Sequence, residues 1–499
     1  MKSKCVARIL TAGLLLLSTG ILLTAQDSAS GPRPKHQKYR LFDLGTFGGP
    51  LSGVQFFARG IVNSAGSATG GADTSIPDPY SPNCFSPNCV VQHAFKWKDG
   101  VLKDLGALPG VNSSYGFWMN ERGWVVGPSQ NGVIDPLTGV PEWNAVLWKG
   151  SKIINLGTLE GNQSAGISVN NAGQVTGWAL NSIPDSWGLA CPCGTQSRAF
   201  LWQKGVMRDL GTLGGPDSFG QYVNERGHVA GFSFINDIPN STTGIPTVDP
   251  FFWDGRKMRD LGTLGGTFGA VNDLNNRDQL IGESNLDGDT EHHAFMWDPS
   301  KPKIRDLGTL GGTRSTPSML NQAGTVIGAA TTANDELLHA VLWRDFVIHD
   351  LGTVPGDGCS FAWGLNSKDQ VVGISLPYPC DFSVAHAFLW DSGSMADLNT
   401  LIPPGSSLQL VYGVAITDAG EIIGIGVPPG VSPKDVEVLG HAYVLVPEED
   451  SSDSQKEAIE TKNFDIGSSA LPGNARAATA EFIRRIEDQQ ARKYHRSRQ

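Results

Sequence analysis

One seven-residue string recurs along the chain and constrains its fold more than any other feature. The string Asp-Leu-Gly-Thr-Leu-Gly-Gly occupies residues 209–215, 260–266 and 306–312 of the 499-residue sequence. Five degraded copies begin at Asp43, Asp104, Asn155, Asp350 and Asp397. Successive copies begin 44 to 61 residues apart, a period that indicates one supersecondary unit repeated eight times.

The segment between two copies of the string contains four short strand-like runs. In one unit these runs are residues 219–224, 228–233, 250–253 and 257–261. Each run is rich in β-branched or aromatic residues and is bounded by Gly, Asn or Asp, which favours strands joined by tight turns. No unit contains a long stretch of helical period. The sequence therefore predicts a four-stranded antiparallel meander of about 50 residues, the size of one β-propeller blade.

Two further landmarks recur in a fixed order with the string. A turn that begins with Asn precedes the second strand in seven units, and Thr417 replaces this Asn in the eighth. The third strand ends in a tryptophan in seven units, and we expect this residue in the core between blades because one face of each sheet must be buried. These tryptophans are Trp97, Trp148, Trp202, Trp253, Trp297, Trp343 and Trp390.

The residues of the string itself have expected structural roles. Asp209 is expected to accept hydrogen bonds from nearby backbone amides, as Asp does in many turns. Gly211, Gly214 and Gly215 are expected to allow positive φ angles or close backbone approach. These glycines give only weak support for a phosphate-binding role, because phosphate-binding loops lead into a helix and no helix follows here.

The two ends of the repeat array complement each other. The array begins with a fourth strand, residues 39–44, and ends with a third strand, residues 441–446. An open array would leave both strands as exposed edges, which invite aggregation. Pairing them closes a ring, as in β-propellers. We therefore predict an all-β fold of eight four-stranded blades, closed by pairing of the N-terminal and C-terminal strands.

The third strands carry a motif that resembles a known family. The tripeptide His-Ala-Phe stands at residues 93–95, 293–295 and 386–388, each time followed by a Trp and a copy of the string. Residues 39–446 are thereby similar to the bacterial extracellular HAF-repeat family. Several copies depart from this pattern, since Asn144, Arg198 and Asp249 replace the His and the eighth unit lacks the Trp. The resemblance implies an exported repeat protein and no established activity.

The segments outside the repeats have distinct compositions. Residues 1–25 combine basic residues with an apolar run of about 15 residues, which is typical of a secretory signal peptide and short for the alternative, a membrane anchor. Residues 447–473 have the acidic and Ser-rich composition of a disordered linker. Residues 474–496 form a predicted amphipathic helix that docks on the repeats, on a partner or on an anionic surface. We expect a secreted or periplasmic protein with no transmembrane span after signal cleavage.

The charge of the chain excludes one class of partner. Removal of residues 1–25 takes away three cations and no acids, so the formal net charge moves from −11 to −14. Binding to nucleic acid requires clustered cations, so we do not expect a nucleic-acid partner.

Six cysteines remain after residue 25, and export would place them where disulfides persist. We predict the bridges Cys84–Cys89 and Cys359–Cys380, because the two members of each pair belong to the same unit. Cys191 and Cys193 are a third candidate pair, although a Cys-x-Cys ring is tight. Their spacing does not favour zinc.

One loop contains a candidate cation site. Asn285, Asp287, Asp289 and Glu291 alternate along it, and oxygen ligands at this spacing could hold Ca²⁺, although the full calcium-loop pattern is absent. The alternative is an ordinary solvated acidic loop. No other cofactor is indicated. Five units keep the repeated His, which we expect to be structural because equivalent residues in different blades cannot converge on one ion: His93, His293, His339, His386 and His441.

The loops between second and third strands carry most of the length variation, and the meander places them on the same face as the Gly-rich strings. The long ones are residues 72–92, 128–143, 179–197 and 233–249. Variable loops on a rigid scaffold commonly carry function, and no catalytic motif is present. We therefore predict a scaffold that binds an extracellular or periplasmic glycan, envelope component or protein through this face. The alternatives are a hydrolase or lyase with carboxylates at the channel mouth, and a self-associating surface array.

Overall fold

The computed structural model describes residues 36–448, except residues 57, 137, 190–193 and 302, together with Arg484. The predicted signal peptide (residues 1–25), linker residues 449–473 and, apart from Arg484, the predicted helix (residues 474–496) lie outside the described residues. Within the described part, no helix has the length and apolar character needed to cross a membrane.

Thirty-two strands dominate the described residues and fall into eight units of four. In every unit, successive strands a, b, c and d pair in an antiparallel meander. Units 1 to 4 contain β2 to β17: Gly48–Gly53, Ala68–Pro77, Val90–Lys98 and Val101–Gly106; Trp118–Met119, Val125–Ile134, Pro141–Lys149 and Lys152–Gly157; Ser164–Val169, Val175–Pro184, Thr195–Gln203 and Val206–Asp209; Ser218–Val223, Val229–Pro239, Pro246–Trp253 and Met258–Asp260.

Units 5 to 8 contain the remaining strands, and the last unit takes its strand d from the N-terminus. They are β18 to β32 followed by β1: Gly265–Leu274, Leu280–Leu286, His292–Trp297 and Arg305–Asp306; Gly311–Leu320, Val326–Thr332, Leu338–Arg344 and Val347–Gly352; Asp357–Leu365, Val371–Pro377, His386–Asp391 and Ser394–Asp397; Gln409–Ile416, Ile422–Val427, His441–Pro447 and Tyr39–Asp43. Short helical turns lie at Arg59–Ile61, Ala333–Asp335, Leu398–Thr400, Pro433–Asp435 and Val436–Leu439.

The sheet boundaries differ in one respect from the expected eight separate blades. Five units are separate four-stranded sheets, whereas units 4, 5 and 6 merge into one twelve-stranded sheet. The merging rests on two parallel bridges of one residue pair each, Val248 with Phe268 and His292 with Arg314. In both bridges, strand c of one unit touches strand a of the next, so the four-stranded meander remains the repeating element.

The two ends of the array are paired. β1 runs antiparallel to β32 over five residue pairs, from Tyr39 with Pro447 to Asp43 with Tyr443. Unit 8 is also joined to unit 1 by a hydrogen bond of 3.0 Å from the Ala442 amide to Ser52 Oγ. The same bond joins other neighbouring units, for example from Ala94 to Ser114 at 2.9 Å. The contact between the last and first units therefore repeats the contact between neighbours along the chain.

In units 2 to 7, the repeated Asn directly follows the C-terminal end of strand a and joins neighbouring units. Its side-chain oxygen accepts backbone amides of its own turn, as Asn224 does from Arg226 and His228. Its side-chain nitrogen donates to the carbonyl of the corresponding residue in the next unit. This chain of contacts runs from Asn120 through Asn170, Asn224, Asn275, Asn321 and Asn366 to Thr417.

The repeated tryptophans lie between units. Trp148 of unit 2 is 2% exposed, and its Nε1 donates to the Gly106 carbonyl of unit 1 at 3.3 Å. Trp343 of unit 6 is 1% exposed and donates to the Leu307 carbonyl of unit 5 at 2.8 Å. Each indole thus contributes apolar area to the core between two sheets and also satisfies its one polar group, as buried tryptophans require.

Unit 1 contains an insertion that contacts distant units. Ten residues lie between Ser52 and Asn63, whereas five lie between the equivalent Ser218 and Asn224 of unit 4. We call residues 54–62 the unit 1 insertion; residue 57 is not described. Arg59 donates to Asp273 Oδ1 of unit 5 at 2.7 Å and also to the Leu274 carbonyl.

The same insertion packs against aromatic residues on strands a. The Phe56 ring lies 5.2 Å from that of Trp363 in unit 7 and 5.0 Å from that of Tyr412 in unit 8, measured between centroids. Gly60 lies against Trp118 of unit 2 so closely that a Cβ would come within 2.2 Å of the indole. One segment therefore contacts strands a of units 2, 5, 7 and 8, which are distant from one another in sequence.

Candidate functional site

The Gly-rich strings and the b–c connections lie at the same ends of the strands, as the meander requires. The Gly215 amide of one string donates to the Phe234 carbonyl of strand b at 3.0 Å. A Cβ on Gly215 would lie 2.5 Å from the Asn236 carbonyl oxygen, and Gly214 has a φ of +125°. The first Gly of the pair thus provides a left-handed conformation and the second provides close approach. We call the surface formed by the b–c connections and the strings the hairpin face.

The b–c connections of units 1 to 4 are more ordered than predicted. The prediction that residues 72–92, 128–143, 179–197 and 233–249 are loops is wrong in part, because strands b and c continue into these segments as two-stranded hairpins. The pairing extends to Pro77 with Val90, Ile134 with Pro141, Pro184 with Thr195 and Pro239 with Pro246. Alternation of polar and apolar residues is interrupted there by a register shift, which conceals the strand pattern in the sequence.

Each of these four hairpins exposes an aliphatic side chain at the same position. The residues lie at the register shift of strand b, and their exposed fractions range from 47% to 68%: Ile76, Val133, Ile183 and Ile238. Exposed aliphatic side chains at one equivalent position in four successive units form a repeated apolar feature, which we call the hairpin tips.

A polar side chain two residues earlier fixes the backbone of every hairpin tip. The Ile183 amide donates to Asn181 Oδ1 at 2.9 Å, and the Ile238 amide donates to Asn236 Oδ1 at 2.9 Å. Asn131 and Thr74 accept in the same way from Val133 and Ile76. These bonds satisfy an amide that the register shift removes from the ladder. The tips are therefore held in one backbone conformation before any partner binds.

Buried carboxylates anchor the loops of the hairpin face. Asp73 of unit 1 accepts from Ser86, Asn88 and Gln92 at 2.9 to 3.0 Å. Asp217 accepts the Leu189 and Ser197 amides of unit 3 at 3.0 and 2.6 Å. Burial raises the pKa of Asp217 to about 6, the charge of Asp185 adds to this effect, and the hydrogen bonds oppose it. The loops are therefore positioned by polar groups withdrawn from solvent.

Both predicted disulfides are present, and both lie at the hairpin face. Cys84 and Cys89 close the loop between β3 and β4, with Cα atoms 5.0 Å apart. Cys380 follows β27 and bonds to Cys359, with a Cα separation of 5.3 Å. Cys359 itself lies within strand β26. Cys191 and Cys193 lie outside the described residues.

Peptide mapping without reduction is expected to recover two linked pairs, Cys84 with Cys89 and Cys359 with Cys380. The Cα separations of both pairs fall within the usual range for disulfides. The measurement is mass spectrometry of a proteolytic digest in which free thiols are alkylated first. Any peptide that links Cys359 to the loop of unit 1 would contradict this assignment.

The predicted calcium ligands do not converge. Asp289 accepts from the Thr267 amide at 2.7 Å and from the Thr267 hydroxyl at 3.0 Å. Asn285 contacts Asp289 through its nitrogen and His292 through its oxygen. Asp287 and Glu291 are not joined to them as a ligand set, and within the described residues no group of three or more His, Cys, Asp or Glu could hold a metal ion. Asp289 therefore acts as a local hydrogen-bond acceptor in this loop.

The repeated His pairs with the Asp that begins the Gly-rich string, a contact that the sequence analysis missed. His93 Nδ1 lies 2.9 Å from Asp104 Oδ2, and Asp104 Oδ1 also accepts the Gly106 amide at 2.6 Å. Burial alone would raise the pKa of Asp104, but the bonds from His93 and Gly106 hold it below its usual range. Equivalent pairs are His293–Asp306, His339–Asp350 and His441–Asp43, whereas His386 bonds to Asp357 instead. The signal was available, since the two residues lie 11 residues apart in units 1 and 6 and 13 residues apart in unit 5.

Unit 4 departs from this pairing. Asp249 stands in the position of the His and faces Asp260, the Asp of the string. Asp249 is 7% exposed, and burial, followed by the charge of Asp260 and a hydrogen bond with it, raises the pKa of Asp249 to about 7. The neutral form of Asp249 is favoured because a second ionised carboxyl next to Asp260, in a buried position, would be electrostatically unfavourable.

Comparisons with known proteins gave no family and only distant likeness to solved structures. No family model matches the sequence. No curated protein matches it either. Among solved structures, one from a study of two prolyl endopeptidases is similar with a TM-score of 0.43 and 11% identity, over 79% of this chain and 55% of that chain. The chain thus spans about half the length of that enzyme.

Two further solved structures are similar at comparable or lower levels. Oligogalacturonate lyase from Vibrio parahaemolyticus matches with a TM-score of 0.42 and 11% identity, over 83% of this chain and 94% of the lyase. TolB from Acinetobacter baumannii matches with a TM-score of 0.27 and 9% identity, over 55% of this chain and 61% of TolB. Likeness at this level does not extend to activity or ligand.

Proposed function

We propose that this chain is an exported binding scaffold of the HAF-repeat type, with eight blades closed into one β-propeller. The pairing of β1 with β32 and the bond from Ala442 to Ser52 support closure. The two disulfides are consistent with a secreted or periplasmic location, where such bonds persist. The repeated tripeptide supports the family assignment.

The observation that carries the function is the row of hairpin tips. Ile183 and Ile238 are 50% and 68% exposed, and neighbouring units present equivalents at the same position. Burial of these exposed aliphatic groups against a partner is favourable by about 25 cal/mol per Å² of apolar area. Apolar tips on a polar, disulfide-bonded face favour a protein partner over a free glycan, because the fully buried part of a protein interface is largely apolar. The scaffold therefore binds an extracellular or periplasmic protein through its hairpin face.

The double variant Ile183→Asp, Ile238→Asp is expected to reduce binding to an envelope protein extract at least tenfold. Two charges would be buried without partners in the complex, while the free protein keeps both positions in solvent. The measurement is the amount of extracted protein retained by the immobilised chain over a concentration series, with far-ultraviolet circular dichroism as a check of folding.

The matched control is Val101→Asp, Val206→Asp, which changes two residues that are 65% and 67% exposed and that begin strands d, directly after the c–d turns at the other end of the strands. This control is expected to bind like the wild-type protein. Equal binding by both double variants and wild type would overturn the assignment of the hairpin face.

The alternative of a hydrolase or lyase requires an available carboxylate near the inner strands. Asp273 lies on strand β18 and is 3% exposed. It is ion-paired with Arg59 at 2.7 Å and accepts the Leu320 amide at 3.0 Å. This carboxylate has a structural role in joining units 1, 5 and 6, so it does not favour the catalytic alternative.

A further inference from the structure

A cavity between units 5 and 6 opens at the ends of the strands opposite the hairpin face. Its volume is about 520 Å³, within the usual range for small-molecule sites. The walls come from the a–b and c–d turns of the two units. Met296, Ile304, Leu307 and Trp343 provide the apolar part of the lining.

Cations surround this cavity although the chain as a whole is acidic. Arg277, Lys301, Lys303 and Arg305 line it, against two carboxylates, Asp298 and Asp345. Among the ion pairs formed by described residues, none involves these four cations.

One of the two carboxylates, Asp298, is already engaged in hydrogen bonds. Asp298 accepts from the Ser300 amide and hydroxyl and from Gln279 at 2.6 to 2.9 Å. Asp298 also interacts electrostatically with Arg277, but four cations against two carboxylates leave the lining with a net positive charge that would attract an anion.

The aromatic wall of the cavity is built at a conformational cost. Phe346 occupies the second position of a two-residue turn with a φ of +66°, where units 1, 3 and 7 have Gly100, Gly205 and Gly393. A bulky residue rarely adopts this conformation, and such outliers are found at functional sites. Phe346 is 37% exposed and contributes to the lining of the cavity.

Arg305 reinforces this wall. Its guanidinium carbon lies 3.6 Å from the centroid of the Phe346 ring, which places the planar cation against one face of the phenyl group. A guanidinium held in this way offers its other face for stacking and its N–H groups for a carboxylate. The arrangement combines a flat apolar platform with positive charge.

We propose that this cavity binds a small aromatic carboxylate, whose ring stacks on the Phe346–Arg305 pair and whose charge is met by Arg277, Lys303 and Arg305. The site is independent of the hairpin face, because it lies at the other ends of the strands and uses no hairpin residue. Binding of a protein partner and binding of the carboxylate are therefore separable.

Isothermal titration of the full chain with naphthalene-2-carboxylate tests this site. We expect saturable binding, and binding of naphthalene-2-carboxamide weakened at least tenfold because the charge is lost. Phe346→Gly should lose at least tenfold in affinity while its thermal midpoint stays equal to or above that of the wild-type protein, since Gly relieves the strain. Arg305→Ala should also lose at least tenfold.

Arg208→Ala is the matched control, because Arg208 has the position of Arg305 in unit 3 and lies over Trp253 at 5.2 Å. It should bind the carboxylate like wild type. The proposal is overturned if millimolar carboxylate gives no heat, if the amide or inorganic sulfate binds equally well, or if Phe346→Gly binds unchanged.

Discussion

Replacement of Gly231 by Ala is expected to lower the free energy of unfolding by about 3 kcal/mol or more. A Cβ at Gly231 would lie 1.9 Å from the carbonyl oxygen of Phe219 on the paired strand. That oxygen belongs to the backbone and cannot rotate away as a side chain could. Strand a changes register between Gly220 and Tyr222 at this place, so relief of the clash would displace the bulge. The urea midpoint, followed by tryptophan fluorescence, measures the loss.

Gly53→Ala is the control for this prediction. A Cβ at Gly53 would meet its nearest atom, Ile425 Cδ1, at 3.7 Å, which is an ordinary van der Waals contact. Its midpoint should differ from wild type by an amount equivalent to about 0.5 kcal/mol or less. If Gly231→Ala unfolds at the same urea concentration as Gly53→Ala, the close approach is not a constraint on the fold.

The contact made by Gly231 recurs in all eight units. A Cβ on the equivalent glycine of strand b would lie 1.9 to 2.1 Å from a backbone oxygen of strand a or, in unit 2, of Tyr115 just before strand a. These residues are Gly70, Gly127, Gly177, Gly231, Gly282, Gly328, Gly373 and Gly424. The recurrence is visible in the sequence, but its cause is not, because the bulge on strand a has no residue signature of its own.

Features that depend on residues near one another in the repeat could be predicted from the sequence. Strand order follows from turns and alternation within about 50 residues, a local signal. Pairing of β1 with β32 spans the whole chain, yet it follows from counting strands in the first and last units. The Cys359–Cys380 bridge likewise follows from membership of one unit.

Features that depend on one unit differing from the others were harder to predict. The five extra residues of the unit 1 insertion are evident in the sequence, but the partner of Arg59 lies 214 residues away at Asp273. Only the arrangement of all units brings these two side chains together. Phe346 is similar: its identity was visible, whereas its left-handed backbone is apparent only once the turn between β24 and β25 is seen.

Asp249→Asn is expected to stabilise the protein at pH 8, by at most about 4 kcal/mol. The pKa of Asp249 is raised from 3.8 to about 7 in the folded chain by burial and by Asp260. The folded state therefore binds more protons than the unfolded state between these values. Stability from this group is present below pH 4 and is lost as pH rises through 7, and Asn does not titrate. The difference in free energy of unfolding between variant and wild type, measured by urea unfolding, should thus grow from pH 4 to pH 8.

Two further variants separate this effect from a general response to lost charge. Asp249→His restores the residue that other units place opposite the Asp of the string, as in His93–Asp104, and it should also exceed wild type in stability at pH 8. Asp254→Asn removes a carboxylate of the same unit whose pKa is lowered, chiefly by the hydrogen bond from the Lys257 amide. Loss of that favourably bound charge should not increase the stability of the protein at pH 8. An equal gain for Asp254→Asn and Asp249→Asn would show that net charge, and not the buried pair in unit 4, sets the pH dependence.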